Sequence, residues 1–170
     1  RADITDRQVS ALFWMNGALG TGIAILLALL APLLGWIYGE PALVEITPVV
    51  ALTLVLTGFS AQHLAILRRQ MRFGTLAGIQ TGAEIVAMAA ALGAAAAGLG
   101  LWALVVQRLT WAGVTMLGSW AASRWMPGRP ARFSEVRGLV AFGGNVTGAM
   151  VLGSCAGNLD KILIGWFWGA

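Results

Sequence analysis

Residues 62–73 read QHLAILRRQMRF, and this stretch decides the fold because it ends an apolar run with clustered positive charge. The run over residues 46–67 is long enough to cross a bilayer, and Arg68, Arg69 and Arg72 follow it directly. An apolar segment of about 20 residues closed by arginines is typical of a membrane helix that ends on the cytoplasmic side. The stretch therefore predicts a transmembrane helix whose arginine-bearing end faces the cytoplasm.

The composition also indicates a membrane protein. Of the 170 residues, 58% are hydrophobic and 11% are charged, whereas soluble domains have about 45–50% and about 25%. The net charge of +4 does not predict a nucleic-acid partner, because the arginines lie in short turns between apolar runs and so orient membrane helices. The chain lacks an initial Met and stops inside an apolar segment. We therefore expect it to be a piece of a longer membrane protein.

Five apolar runs predict an all-α fold, a polytopic transmembrane helix bundle with five membrane-spanning helices. The predicted spans are residues 9–38, 46–67, 75–98 and 101–122. A polar linker follows at 123–137, and the last segment, 138–170, holds the fifth span.

Basic residues are distributed unequally between the two sides of these spans. Nine of the eleven lie in the segments 1–8, 68–74 and 123–137, whereas the turns 39–45 and 98–100 hold none. Such an asymmetry sets the orientation of a membrane protein and predicts that residue 1 is cytoplasmic. The arginines of the linker that contribute to it are Arg124, Arg129, Arg132 and Arg137.

Glycines at intervals of four residues predict close helix packing in the third span. Gly74, Gly78 and Gly82 form a doubled small-xxx-small pattern. Close approach of backbones at such positions promotes association of helices in lipid. We refer to these three residues as the glycine ladder.

Polar residues within the third and fourth spans are the first candidates for a substrate path, because each ionised group costs about 2.5–3.5 kcal/mol at mid-bilayer. Glu84 lies near the middle of the third span with Gln80 one turn away, and Arg108 and Gln107 lie in the fourth. Arg108 is interpreted either as an anion-binding group in a water-filled cavity or as a structural arginine. Glu84 is interpreted either as a proton or cation site or as a structural partner, about 9 Å from Arg108 in depth.

Polar residues also occur elsewhere in the spans. Asn158, Asp160 and Lys161 cluster in the fifth span, where the last two are adjacent and can neutralise each other. A lone intramembrane histidine such as His63 is interpreted first as packed and hydrogen-bonded, and second as a proton relay. Neither a metal site nor a catalytic motif is predicted, and the sequence does not indicate an enzyme.

The order of several segments resembles polysaccharide-exporting flippases of the PST/Wzx type, in the multidrug/oligosaccharidyl-lipid/polysaccharide exporter superfamily. The segments that carry the resemblance are ITDRQVSALFW, APLLGWIYGEP, LRRQMRF, GLGLWALVVQRL, and RGLVAFGGNV with NLDKILIGWFWG. The resemblance covers essentially the whole chain. It implies two six-helix lobes, of which residues 1–122 would be the later part of the first, 123–137 the linker between lobes, and 138–170 the first helix of the second.

The resemblance implies a function and a location. The expected activity is movement of an undecaprenyl-diphosphate-linked oligosaccharide from the cytoplasmic to the periplasmic leaflet of the bacterial inner membrane, by alternating access. Arg108 is the in-span arginine that such a diphosphate would use. No cofactor is expected, a coupling proton or sodium ion is left open, and a polysaccharide polymerase and export machinery are possible partners. The alternatives are a MATE-like exporter and a membrane-embedded glycan polymerase or ligase, which would be an enzyme.

Overall fold

The computed structural model describes residues 6–128, and these residues are helical apart from the short turns between helices and the segment 124–128 after the last helix. They form one compact unit. The elements are α1 (Asp6–Tyr38), α2 (Ala42–Arg69), α3 (Phe73–Ala96) and α4 (Trp102–Ser123). The all-α fold predicted from the sequence is confirmed for this part of the chain, and the predicted fifth span lies outside the described residues.

The four helices run alternately up and down, because each is joined to the next by a turn of only a few residues. In space α2 packs against both α1 and α4, and α4 also packs against α3, whereas α2 and α3 touch very little. The spatial order is therefore α1, α2, α4, α3. The start of α1, the end of α2, the start of α3 and the end of α4 share one end of the bundle, which we call the arginine end.

The lengths and compositions of the helices suit a bilayer. α1, α2 and α3 have 33, 28 and 24 residues and are each long and apolar enough to cross a membrane. Threonines within α2 donate their hydroxyl groups to carbonyls of the same helix, as Thr57 does to Thr53 at 2.7 Å, so these polar groups are satisfied without water. α4 is 22 residues long but is not among the helices found long and apolar enough to cross a membrane, so its crossing stays a prediction.

The three turns between helices share one hydrogen-bonding design. At each, a residue with positive φ follows the helix, and the N–H of the next residue donates to a carbonyl five residues earlier. This bond satisfies a carbonyl at the end of the helix. The positive-φ residues are Gly39 (67°), Met71 (56°) and Gly98 (80°). Glycine adopts this conformation without strain, but a side chain such as that of Met71 does not.

One predicted boundary is wrong. The sequence predicted a turn over residues 39–45, but α2 already begins at Ala42. Pro41 has a helical φ of −61° and is therefore well suited to start a helix. Glu45 then lies in the first turn of α2, where its negative charge is favourable.

Glycines bring α1 and α2 into backbone contact. A Cβ atom placed on Gly20 would lie 2.5 Å from the carbonyl oxygen of Leu54, and one on Gly58 would lie 2.6 Å from that of Asn16. One on Gly17 would lie 2.5 Å from the ring of Phe59. We call Gly17, Gly20 and Gly58 the glycine crossing. The two helices can approach this closely only because these positions lack side chains.

The glycine ladder does not pack in this way. A Cβ atom on Gly74, Gly78 or Gly82 would meet no atom within 4 Å. The prediction that the ladder packs against another helix is therefore wrong for residues 6–128. α3 instead turns Leu76, Ala83, Ala87 and Ala94 inward, and its Ile79 packs on Gly118 of α4.

Candidate substrate path and arginine end

Arg108 occupies an unusual position on α4. Residues 105, 108, 112, 115 and 119 follow the three-and-four spacing of one helix face, and all of them except Arg108 are buried. The Arg108 side chain is exposed, and Gln107 beside it is half-buried. Since α2 and α3 touch little, the inward face of α4 is not covered along its whole length. A charged group is therefore presented from an otherwise packed face.

Glu84 and Gln80 lie on α3, and both are exposed. The contact of Ile79 with Gly118 and the hydrogen bond from Arg72 to the Ala122 carbonyl fix how α3 and α4 align. This alignment places Glu84 about four residues from the level of Arg108, or about 6 Å along the axis, closer than the sequence predicted. No ion pair joins the two side chains within residues 6–128.

The other predicted path residues, Asn158, Asp160 and Lys161, lie outside the described residues, as do the linker arginines Arg129, Arg132 and Arg137. A path formed by the complete predicted set therefore stays a prediction.

Thr115 adds a polar group to the face of α4 that carries Arg108. Its hydroxyl is buried and has no hydrogen-bond partner among the described residues. A buried hydroxyl without a partner is unfavourable by about 1–3 kcal/mol. Thr115 lies two turns from Arg108 toward the arginine end. This face of α4 therefore carries two polar side chains, those of Arg108 and Thr115, that have no hydrogen-bond partner among residues 6–128.

An aromatic cluster closes the bundle at the arginine end. His63 is fully buried, with its ring centroid 4.7 Å from that of Trp120 and 5.4 Å from that of Trp125. Phe13 of α1 lies 5.7 Å from His63 and 5.5 Å from Phe59. Aromatic pairs at such separations attract each other by about 0.5–1.5 kcal/mol beyond simple burial. The cluster therefore joins α1, α2, α4 and the residues after α4.

Hydrogen bonds fix the members of this cluster. His63 Nδ1 and Ser123 Oγ share a hydrogen bond of 2.8 Å, and Trp120 Nε1 donates to the Phe59 carbonyl at 3.1 Å. The interpretation of His63 as a packed, hydrogen-bonded residue is confirmed. Its Nε2 has no partner among residues 6–128.

The residues after α4 are held against α1. The Gly128 N–H donates to Ser10 Oγ at 3.0 Å, and the Gly128 carbonyl accepts from Trp14 Nε1 at 3.0 Å. The helices α1 and α4 make no direct backbone contact. The beginning of the predicted linker, residues 124–128, therefore connects them through Trp125 and Gly128.

Arg72 has a structural role beyond the predicted effect on orientation. Its guanidinium donates to the Ala122 carbonyl at 2.8 Å, which satisfies a carbonyl in the last turn of α4 and opposes the negative end of the helix dipole. The sequence did not predict this bond or the aromatic cluster. The concentration of tryptophan near residues 120–125 was the available signal for the cluster, because these rings lie beside the end of a predicted span.

Three long apolar helices packed through glycine, aromatic and polar contacts define a helical membrane protein. The chain belongs to a family described as "Polysaccharide biosynthesis protein", whose family model it matches over residues 1–170.

The chain is also similar to the teichuronic acid biosynthesis protein TuaB of Bacillus subtilis (strain 168), with 25% identity over 172 residues. The similarity covers 100% of this chain and 36% of that relative, so the chain spans about a third of the relative's length. No solved structure matches the chain.

Proposed function

We propose that the full-length protein is a flippase, a transporter rather than an enzyme. It moves undecaprenyl-diphosphate-linked oligosaccharides from the cytoplasmic to the periplasmic leaflet of the bacterial inner membrane, for O-antigen or exopolysaccharide synthesis. Membership of the polysaccharide biosynthesis family supports the substrate class. The arginine end faces the cytoplasm in this proposal, because nine of eleven basic residues fall on that side.

The observation that carries the proposal is the exposed Arg108 on the packed face of α4. An arginine inside a span is tolerated when a carboxylate or an anionic ligand compensates its desolvation. No ion pair with Glu84 is present in residues 6–128, so the guanidinium is available to a ligand. Its planar fork donates two parallel hydrogen bonds to a phosphate oxygen pair.

The remaining polar groups have subordinate roles. Gln80 and Gln107 are suited to hydrogen-bonding sugar hydroxyl groups, and Glu84 is the carboxylate available to a coupling proton or sodium ion. The cycle alternates access between the two leaflets, and a separate polymerase and export machinery use the delivered repeat units.

The test uses a strain that lacks the gene and carries the full-length protein on a plasmid. Arg108→Ala should be made at the parent level and lose most polysaccharide export, with lipid-linked repeat units accumulating on the cytoplasmic side. Arg108→Lys should retain part of the export because it keeps the charge but not the fork. Leu104→Ala, an exposed apolar position one turn away, is the matched control and should export normally.

The site of accumulation separates the alternatives. Single repeat units that reach the periplasmic side without being joined would indicate a polymerase or ligase. Normal polysaccharide in the deletion strain combined with lost drug resistance would indicate a MATE-like exporter. Undiminished export by Arg108→Ala would exclude the ligand-binding role of Arg108.

A further inference from the structure

A cavity of ≈ 540 Å³ opens at the arginine end, between the start of α1 and the ends of α2 and α4. The groups that line it and can bind a ligand are Asp6, Arg69, Gln70, Ser123, Arg124 and Trp125. Arg124 lies sixteen positions after Arg108, or about 24 Å along a helix. The cavity is therefore distinct from the candidate substrate path.

The two arginines of the cavity are free to bind a ligand. Among the described residues, neither the Arg69 side chain nor the Arg124 side chain makes a hydrogen bond or an ion pair, whereas the side chain of the nearby Arg72 donates to the Ala122 carbonyl. Both guanidinium groups are exposed. Each offers the planar arrangement of donors that recognises phosphate oxygens through two hydrogen bonds.

The backbones that carry these arginines are fixed by their neighbours. Ser123 is hydrogen-bonded to His63, and Trp125 packs on His63 and Phe13. Arg124 lies between these two anchored residues, with its own N–H bonded to the Trp120 carbonyl at 3.3 Å. Arg69 directly precedes the hydrogen-bonded turn that ends α2. Little backbone ordering is therefore required when a ligand binds.

The charges of the cavity select the kind of anion. Two guanidinium groups and the single Asp6 carboxylate give the lining a net charge of +1. One negative charge on a ligand neutralises this net charge, whereas a dianion would leave one negative charge uncompensated beside the Asp6 carboxylate. The lining therefore complements a phosphodiester, which carries one negative charge, better than a diphosphate.

The position of the cavity indicates the source of such a phosphodiester. Arg69 is the last residue of the apolar helix α2, Gln70 follows it, and Trp125 lies just after α4. Arginine and tryptophan at the end of a membrane helix lie at the level of the lipid headgroups. We propose that this cavity binds the phosphodiester group of an anionic phospholipid, with Arg69 and Arg124 holding its oxygens and Gln70 donating a further hydrogen bond.

The experiment uses purified full-length protein in a neutral detergent and native mass spectrometry with added phosphatidylglycerol. Arg69→Gln and Arg124→Gln should each weaken binding of phosphatidylglycerol about tenfold, because each removes charge-assisted hydrogen bonds. Arg68→Gln is the matched control. It removes the same charge from the adjacent residue, which is exposed and does not line the cavity, and it should bind as the parent does.

Two further measurements sharpen the assignment. Asp6→Asn should strengthen binding several-fold, since it removes the one repelling carboxylate of the lining. Diacylglycerol, which lacks the phosphate, should not bind at the cavity. Displacement of phosphatidylglycerol by millimolar inorganic phosphate would identify a site for the free anion, and resistance to it would identify a headgroup site that also uses the lipid's position in the bilayer.

The proposal is overturned if Arg69→Gln and Arg124→Gln bind phosphatidylglycerol as well as Arg68→Gln does, or if diacylglycerol binds equally well. If Arg124→Gln does not fold, Arg124→Lys and Asp6→Asn provide the test. The lysine variant should bind more weakly than the parent, and the asparagine variant more tightly. Failure of the flippase activity proposed for Arg108 would not alter any of these results.

Discussion

The glycine crossing between α1 and α2 differs sharply from the glycine ladder of α3, although both are sets of small residues on apolar helices. At the crossing, a Cβ on Gly20 would lie 2.5 Å from a backbone oxygen of the neighbouring helix. At the ladder, a Cβ on Gly78 would meet nothing within 4 Å. Glycine spacing makes a helix surface flat, but the partner helix decides whether that surface is used.

The regular glycine spacing predicts close packing for the ladder rather than for the crossing, which is the opposite of what the structure shows. The ladder has the regular four-residue repeat, whereas Gly17 and Gly20 are three residues apart and meet the single Gly58. A crossing of two helices needs small residues only where the axes come closest. Packing of the glycine ladder against a segment outside residues 6–128 stays a prediction.

The largest effect is expected for a methyl group placed in the crossing. Gly20→Ala should lower the free energy of unfolding by about 3 kcal/mol, at the upper end of overpacking effects, because the obstructing atom belongs to the backbone and cannot rotate away. Thermal unfolding of the full-length protein in detergent measures the change. Gly78→Ala is the control, and it should be neutral or stabilising by up to about 1 kcal/mol because alanine favours the helix.

Equal losses of stability for Gly20→Ala and Gly78→Ala would contradict the difference between the glycine crossing and the glycine ladder. That result would mean that the ladder also packs against a helix in the full-length protein.

The second effect concerns the aromatic cluster, which extends the α1–α2 contact to α4. Phe13→Ala should destabilise the protein by about 2 kcal/mol. Truncation of a buried Phe costs about 3–5 kcal/mol in soluble cores, but lipid is as apolar as this core, so the transfer part of the loss is smaller. Phe73→Ala removes an exposed ring and should change unfolding little. A comparable loss for both variants would show that burial in the cluster does not account for the effect.

The smallest effects concern two turn residues with positive φ, where backbone conformation rather than close packing decides which residue is favourable. Met71→Gly should stabilise the protein by about 1 kcal/mol, because Met71 has a φ of 56° and glycine removes this strain. The reciprocal change, Gly98→Ala at a φ of 80°, should destabilise by about the same amount. Thermal unfolding of both variants should therefore shift in opposite directions, and shifts in the same direction would contradict the conformational explanation.

The candidate site was only partly predictable. The sequence indicates Arg108, Glu84 and Gln80 because charged and polar groups are costly in a span, and the structure presents all three on exposed surface. The cavity at Arg69 and Arg124 was not predicted. The sequence assigned these arginines only to membrane orientation, since residues 55 positions apart reveal no shared cavity until the ends of α2 and α4 are placed together.

The sequence alone determined the class of the protein and the positions of its helices. Apolar runs, glycines at two of the three turns, and clustered arginines are local signals, because the bilayer requires each span to satisfy its own backbone hydrogen bonds. The ends of α1 to α4 agree with the first four predicted spans within four residues, and the largest difference is the start of α2.

Which surfaces of these helices pack against each other depends on the tertiary structure. Burial of Phe13 and His63, the binding of Gly128 to Ser10 and Trp14, and the choice of the crossing over the ladder depend on contacts between distant segments. All faces of a membrane helix are apolar, so hydrophobic periodicity does not mark the face that packs. Shape and hydrogen bonding between neighbouring helices make that choice, and they exist only after the helices have assembled.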